Sequence, residues 1–196
     1  GTHKPEVSGS IPLPATIIMY KQKKTKFKNL VVFEGKLFKD KRGHLRELTI
    51  EKTIKNRFKF QIVSRSKKNV LRGLHFQLNK PQGKHISVLK GKIFDVAVDI
   101  RKNSKTFGKY FSTILSNENC RSIYIPPGFA HGFLTLSKEN IVCYSCTEYR
   151  SLGNEYSLNY LDKDLKINWP KKKIIITKKD KFAKNFKQLI KEKIKK

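Results

Sequence analysis

Between Leu30 and Glu148 the sequence is cut into short β-type runs, one every eight to twelve residues, by Gly, Pro and Asn turn signals. Phe58-Lys59-Phe60-Gln61-Ile62-Val63-Ser64 alternates with a period of two, the pattern of a strand with one buried face. Further runs lie at 30–33, 85–89, 93–100, 110–115, 122–125, 134–136 and 141–148. Asp40 to Gly43 reads as a turn between two strands. Lys90-Gly91-Lys92 reads as the turn of a hairpin. Strands at this spacing predict an all-β sandwich or double-sheet barrel rather than an α/β fold. Only the C-terminal end looks helical: Phe182, Phe186, Leu189 and Ile190 recur at i, i+4, i+7 and i+8, with lysines on the other face. A length of 196 residues suits one core and not two. Residues 1–16 show no periodicity, so 1–27 are expected to form an N-terminal arm, floppy in part. Residues 28–196 are expected to form a single domain with a C-terminal helical tail.

Charge points in two directions. There are 44 Lys+Arg against 15 Asp+Glu, a formal net charge of +29. Phosphate neutralisation by basic side chains dominates nucleic-acid affinity, so a polyanion binder is one reading. The lysines are scattered, however, over 21–29, 66–68, 171–173 and 178–196 rather than gathered into one motif. Nucleic acid is therefore not the expected partner, although some attraction for anions follows from the charge. No apolar run has membrane-span length, and the first residues lack a signal-peptide layout. Three cysteines, Cys120, Cys143 and Cys146, an odd and dilute count, fit a reducing cytoplasm rather than a disulfide framework. The Cys143-x-x-Cys146 spacing suggests zinc, but residues three apart on a strand face opposite ways and no second pair stands at ligand spacing.

The densest chemistry lies at 69–84, Asn-Val-Leu-Arg-Gly-Leu-His-Phe-Gln-Leu-Asn-Lys-Pro-Gln-Gly-Lys. Arg72, His75 and Lys84 put two cations and an imidazole in one segment, and Gly73 permits a close backbone approach. An imidazole, with an ordinary pKa of about 6.5, suits proton transfer near neutrality.

Pro126-x-Gly128-x-x-His131 matches the second motif of the cupins, small double-sheet β-barrels. The first cupin motif is broken: Phe76 and Gln77 follow His75, and no glutamate occurs between Glu51 and Glu118. A metal would lack most of its ligands, so a metal-free member is expected. The likeness is closer still. Phe-x-Asp-x-Arg-Gly at 38–43, Val-Leu-Arg-Gly-Leu-His-Phe-Gln at 70–77 and Gln-Gly-Lys at 82–84 resemble the dTDP-4-dehydrorhamnose 3,5-epimerase family. So do Phe-Asp-Val-Ala-Val-Asp-Ile-Arg at 94–101, Thr-Phe-Gly at 106–108 and Ile-Pro-Pro-Gly-Phe-Ala-His-Gly-Phe at 125–133. Tyr144, Trp169-Pro170 and Thr-Lys-Lys-Asp at 177–180 continue the likeness, which spans roughly residues 28–185.

The resemblance implies a jelly-roll barrel that epimerises a nucleotide-diphospho-4-keto-6-deoxysugar at C3, C5 or both, with no redox cofactor. It implies His75 as base, Asp180 as its orienting partner, Lys84 at the developing C4 oxyanion and Tyr144 as acid on the opposite face. It implies substrate contacts at Arg42, Glu47, Arg72, His131, Glu155 and Lys179, and a homodimer sharing the N-terminal strands. Other readings stay open for individual residues: Arg42 as a solvated turn residue, His131 as a core histidine, Asp180 as a helix N-cap. Two departures concern sugar recognition. The family's polar pair and following histidine, just before the serine matching Ser64, are here Phe60, Ile62 and Val63, with Gln61 between. The loop between His75 and Lys84 is one residue short, and His85 stands in an apolar position. A C3-only epimerase, or one for another nucleotide-4-ketosugar, is the enzymatic alternative. A degenerate cupin holding an anionic polymer is the non-enzymatic one.

Overall fold

The computed structural model describes residues 20–49, 54, 56–171 and 173–194. Thirteen strands are formed among the described residues. They are β1 Lys21–Lys24, β2 Val31–Glu34, β3 Phe38–Asp40, β4 Gly43–Leu45, β5 Phe60–Lys67, β6 Leu71–Gln77 and β7 Lys84–Lys90. After them come β8 Lys92–Asp99, β9 Tyr110–Ser116, β10 Arg121–Ile125, β11 Phe129–Thr135, β12 Glu139–Cys146 and β13 Glu155–Ser157. One sheet has the order β1-β2-β10-β7-β12-β5 and the other β13-β6-β11-β8-β9. They form a double-sheet jelly roll, as the resemblance implies and within the sandwich-or-barrel class that the strand spacing predicts.

Alternation along the strands explains the layering. Ile86, Val88, Ile123 and Val142 of the first sheet meet Ile93, Ala97, Leu115 and Phe133 of the second in one buried cluster. The opposite face of the second sheet is also covered. Val96 and Val98 pack there with Leu74, Phe76 and the C-terminal Phe186 and Leu189. β8 is therefore buried on both faces, which is why its sequence reads as a nearly continuous apolar run.

The Lys90-Gly91-Lys92 turn does not close a hairpin. β7 pairs with β10 and β12 in the first sheet, whereas β8 pairs with β9 and β11 in the second. Gly91 (φ +85°) turns the chain from one sheet into the other. Turn residues specify a reversal, not the partner of the next strand.

The C-terminal pattern is helical but not one helix. α1 Lys178–Lys181 ends before α2 Phe186–Leu189, and a π-helical turn, Ile190–Ile194, follows. Asn185 and Gln188 form a capping box that starts α2 afresh. Phe186 and Leu189 are buried as expected, but Phe182, in the break, is 76% exposed. Before residue 28, Tyr20 and Phe27 are buried and β1 pairs with β2, so this end of the expected arm packs on the barrel. Residues 1–19 of that arm lie outside the described residues. Among the described residues no helix is long and apolar enough to cross a membrane.

Candidate active site

Between the two sheets lies a cavity of about 570 Å³. His75 reaches it from β6 of the five-stranded sheet, whereas Lys84 on β7 and Tyr144 on β12 reach it from the six-stranded one. Arg72, Glu155, Lys179 and Asp180 complete the expected residues that line it. Ligands bound here would have the imidazole on one wall and the phenol and ammonium on the other.

His75 is placed by a tight crossing of strands. β6 and β11 pair with a register shift between His131 and Phe133. A Cβ on Gly73 (φ +128°) would lie 2.4 Å from Gly132 Cα, so only glycine fits that crossing. His75 Nε2 then lies 2.7 Å from Asp180 Oδ1. Asp180 is 3% exposed and also accepts a hydrogen bond from Ser157 Oγ at 3.0 Å. Burial would raise its pKa, but His75, Ser157 and Thr177 together hold it below the ordinary carboxylate value. The N-cap of α1 is Thr177, whose hydroxyl accepts from the Asp180 amide. Asp180 is the third residue of that helix rather than its cap, which frees its carboxylate for the imidazole.

On the facing wall, burial pushes the Lys84 ammonium below its ordinary value and the Tyr144 phenol above its own. Tyr144 OH lies 3.2 Å from Ser64 Oγ. Its ring packs on Phe133 and edge-on to His131, with centroids 5.9 and 6.5 Å away.

Three expected contacts are placed elsewhere. His131 is buried at 3% exposure, its Nε2 2.8 Å from Asp95 Oδ2, and it backs Tyr144 without lining the cavity. The core reading of His131 therefore describes its position. Arg42 and Glu47 are exposed and do not line the cavity of their own chain. Arg42 pairs with Asp40 at 2.6 Å on the β3–β4 hairpin, which stands apart from both main sheets.

The cavity also holds Arg150, which sequence reasoning passed over. Arg150 lies against Glu155 in a two-point pair, 2.8 and 2.9 Å, and keeps that carboxylate below its ordinary pKa. Five residues separate the two, but nothing in the sequence shows that the intervening loop folds them together. Ile62 lines the wall beside Tyr144, its direct cross-strand neighbour. Phe60, two residues earlier, stacks on Tyr149 with centroids 5.9 Å apart. Cys146 lines the cavity and Cys143 does not, as opposite strand faces require. Among the described residues no three of His, Cys, Asp and Glu converge as metal ligands would.

The profile of the dTDP-4-dehydrorhamnose 3,5-epimerases matches residues 24–188. A dTDP-4-dehydrorhamnose 3,5-epimerase of Methanothermobacter thermautotrophicus is 44% identical over 165 residues, covering 80% of this chain and 89% of its own. Among solved structures, a dTDP-6-deoxy-D-glucose-3,5-epimerase of Legionella pneumophila, in complex with dTDP-4-keto-L-rhamnose, superposes with a TM-score of 0.81. It is 43% identical, covering 85% of this chain and 92% of that one. The dTDP-4-dehydrorhamnose 3,5-epimerase of Bacillus anthracis, with TDP and PPi bound, gives a TM-score of 0.81 at 39% identity, covering 85% and 99%.

Proposed function

Because this chain belongs to the dTDP-4-dehydrorhamnose 3,5-epimerase family and is an isomerase, we propose that it inverts C3, C5 or both in a nucleotide-diphospho-4-keto-6-deoxysugar by proton transfer across the ring. The observation that carries the reading is the sharing of one cavity by the His75–Asp180 pair from one sheet and by Tyr144 and Lys84 from the other. Epimerisation next to a ketone needs a base on one face, an acid on the other, and a positive charge where the enolate oxygen forms.

His75 takes the proton from the carbon beside the C4 carbonyl, and Asp180 holds the ring and steadies the imidazolium. Lys84 stands beside the developing oxyanion. A cation fixed in advance in a partly desolvated site helps most when the charge appears only in the transition state. Tyr144 returns a proton from the far side, and the carbon is inverted. No hydride leaves the sugar, so the reaction calls for no redox cofactor.

Arg72, Lys179 and the Arg150–Glu155 pair line the cavity with charge suited to a diphosphate. Arg42 and Glu47 are proposed to serve the neighbouring subunit of a homodimer. The β3–β4 hairpin that leads to them carries Leu45 at 58% exposure and pairs with neither main sheet. A thymidine diphosphate carrier is favoured by the ligands named for the Legionella and Bacillus structures. Three free cysteines suit a reducing compartment, and the cytoplasm is the proposed location. Nucleic acid and membrane are not proposed as partners.

The test is a panel of nucleotide-4-keto-6-deoxysugars incubated with the protein in deuterated water. Proton NMR of the products counts the exchanged positions. Exchange at both C3 and C5 supports the 3,5-epimerase, exchange at C3 alone the monoepimerase, and no exchange with any sugar contradicts the proposal.

A further inference from the structure

Among the described residues, Tyr144 OH has one hydrogen-bonding partner, Ser64 Oγ at 3.2 Å. Phe133 and His131 pack against the Tyr144 ring, and His131 has its Nε2 engaged by Asp95. Ser64 sits on β5, the edge strand of the six-stranded sheet among the described residues, where it is half-buried and lines the same cavity. Its direct cross-strand partner is Val142, so Ser64 and Tyr144 are diagonal neighbours on one face. The next hydroxyl on that face, Ser66 Oγ, accepts from Arg72 Nε at 3.0 Å.

This arrangement bears on a step that the reading above leaves open, and it rests on that reading. Each inversion leaves His75 with one proton too many and Tyr144 with one too few. The phenolate needs a donor before it can act again. We propose that Ser64 reloads Tyr144 between proton deliveries. The Ser64 O–H bond breaks as its proton passes to the phenolate oxygen, and Ser64 Oγ takes a proton from water in the cavity. His75 releases the proton it collected to solvent, so the enzyme ends each cycle in its starting state with no net gain or loss.

The experiment compares Ser64→Ala and Ser64→Thr with the unaltered protein, using dTDP-4-keto-6-deoxyglucose in deuterated water. Single-turnover runs with enzyme in excess report the first proton delivery, for which Tyr144 starts loaded. Steady-state runs require reloading. The expected result for Ser64→Ala is a first delivery within about twofold of the unaltered rate and a steady-state rate about tenfold or more lower, within the range of a lost proton-transfer group. Where both carbons are inverted, the singly inverted sugar accumulates. Ser64→Thr, which keeps the hydroxyl, is expected to restore most of the steady-state rate. An unchanged steady-state rate in Ser64→Ala overturns the relay. So does an equal loss in both regimes, which marks Ser64 as only orienting the phenol. Absence of exchange in the unaltered protein instead overturns the epimerase reading, and the relay with it.

Discussion

His75 Nε2 and Asp180 Oδ1 lie 2.7 Å apart although 105 residues separate them in sequence. One comes from a strand of the barrel wall and the other from a four-residue helix held outside it. Asp180→Asn keeps the shape of the side chain but removes the charge that steadies an imidazolium. It is expected to lower kcat by about 100-fold or more with little change in KM. The same variant tests stability. The carboxyl titrates below its ordinary 3.8 in the fold, so its ionised form stabilises the protein at neutral pH. That contribution fades as the pH falls through and below this value, and acid unfolding of Asp180→Asn should lack it.

Lys84 gives the alkaline side of the pH profile. Burial disfavours its ammonium, so the proton leaves below the ordinary lysine value of 10.5. Once the proton has left, the oxyanion lacks its cation, and kcat is expected to fall along a limb that lies below pH 10.5. Lys84→Arg stays charged throughout and is expected to move the limb upward, at some cost in rate from the altered geometry. A pH–rate profile of both proteins checks this.

Gly73→Ala tests the strand crossing that sets His75. The new Cβ would sit 2.4 Å from Gly132 Cα and 2.8 Å from His131 O, on backbone with φ +128°. Neither neighbour is a flexible side-chain end. Urea unfolding is expected to show a loss of about 2 kcal/mol or more, with activity falling alongside.

Shared sites predict complementation. His75→Asn and Arg42→Glu should each be nearly inactive alone. In the proposed homodimer, mixing and reassociating equal amounts would give half heterodimers, each with one intact site. About a quarter of the unaltered activity should return, whereas sites built wholly within one chain would return none.

The sheet architecture was largely legible, because period-two alternation reports which residues face a core whatever their partners. Partners themselves were not: Lys90-Gly91-Lys92 has the composition of a hairpin turn and instead links two sheets. The spacing of Phe182, Phe186, Leu189 and Ile190 was compatible with one helix, yet the Asn185 capping box divides it and leaves Phe182 exposed. Seven expected site residues share the cavity because they sit on strands of the barrel or on α1. Arg150 and Ser157 were missed, since each acts through a carboxylate that only the folded chain brings near. His131 carried a motif but no signal that it would turn toward Asp95, behind the phenol.

The central claim is proton transfer between two facing walls, and deuterium exchange measures it most directly. With dTDP-4-keto-6-deoxyglucose in deuterated water, His75→Asn is expected to take up no deuterium at C3 or C5 above background. Tyr144→Phe is expected to keep exchange while losing inverted product. Undiminished uptake in His75→Asn, or equal loss of exchange and inversion in Tyr144→Phe, would contradict the account.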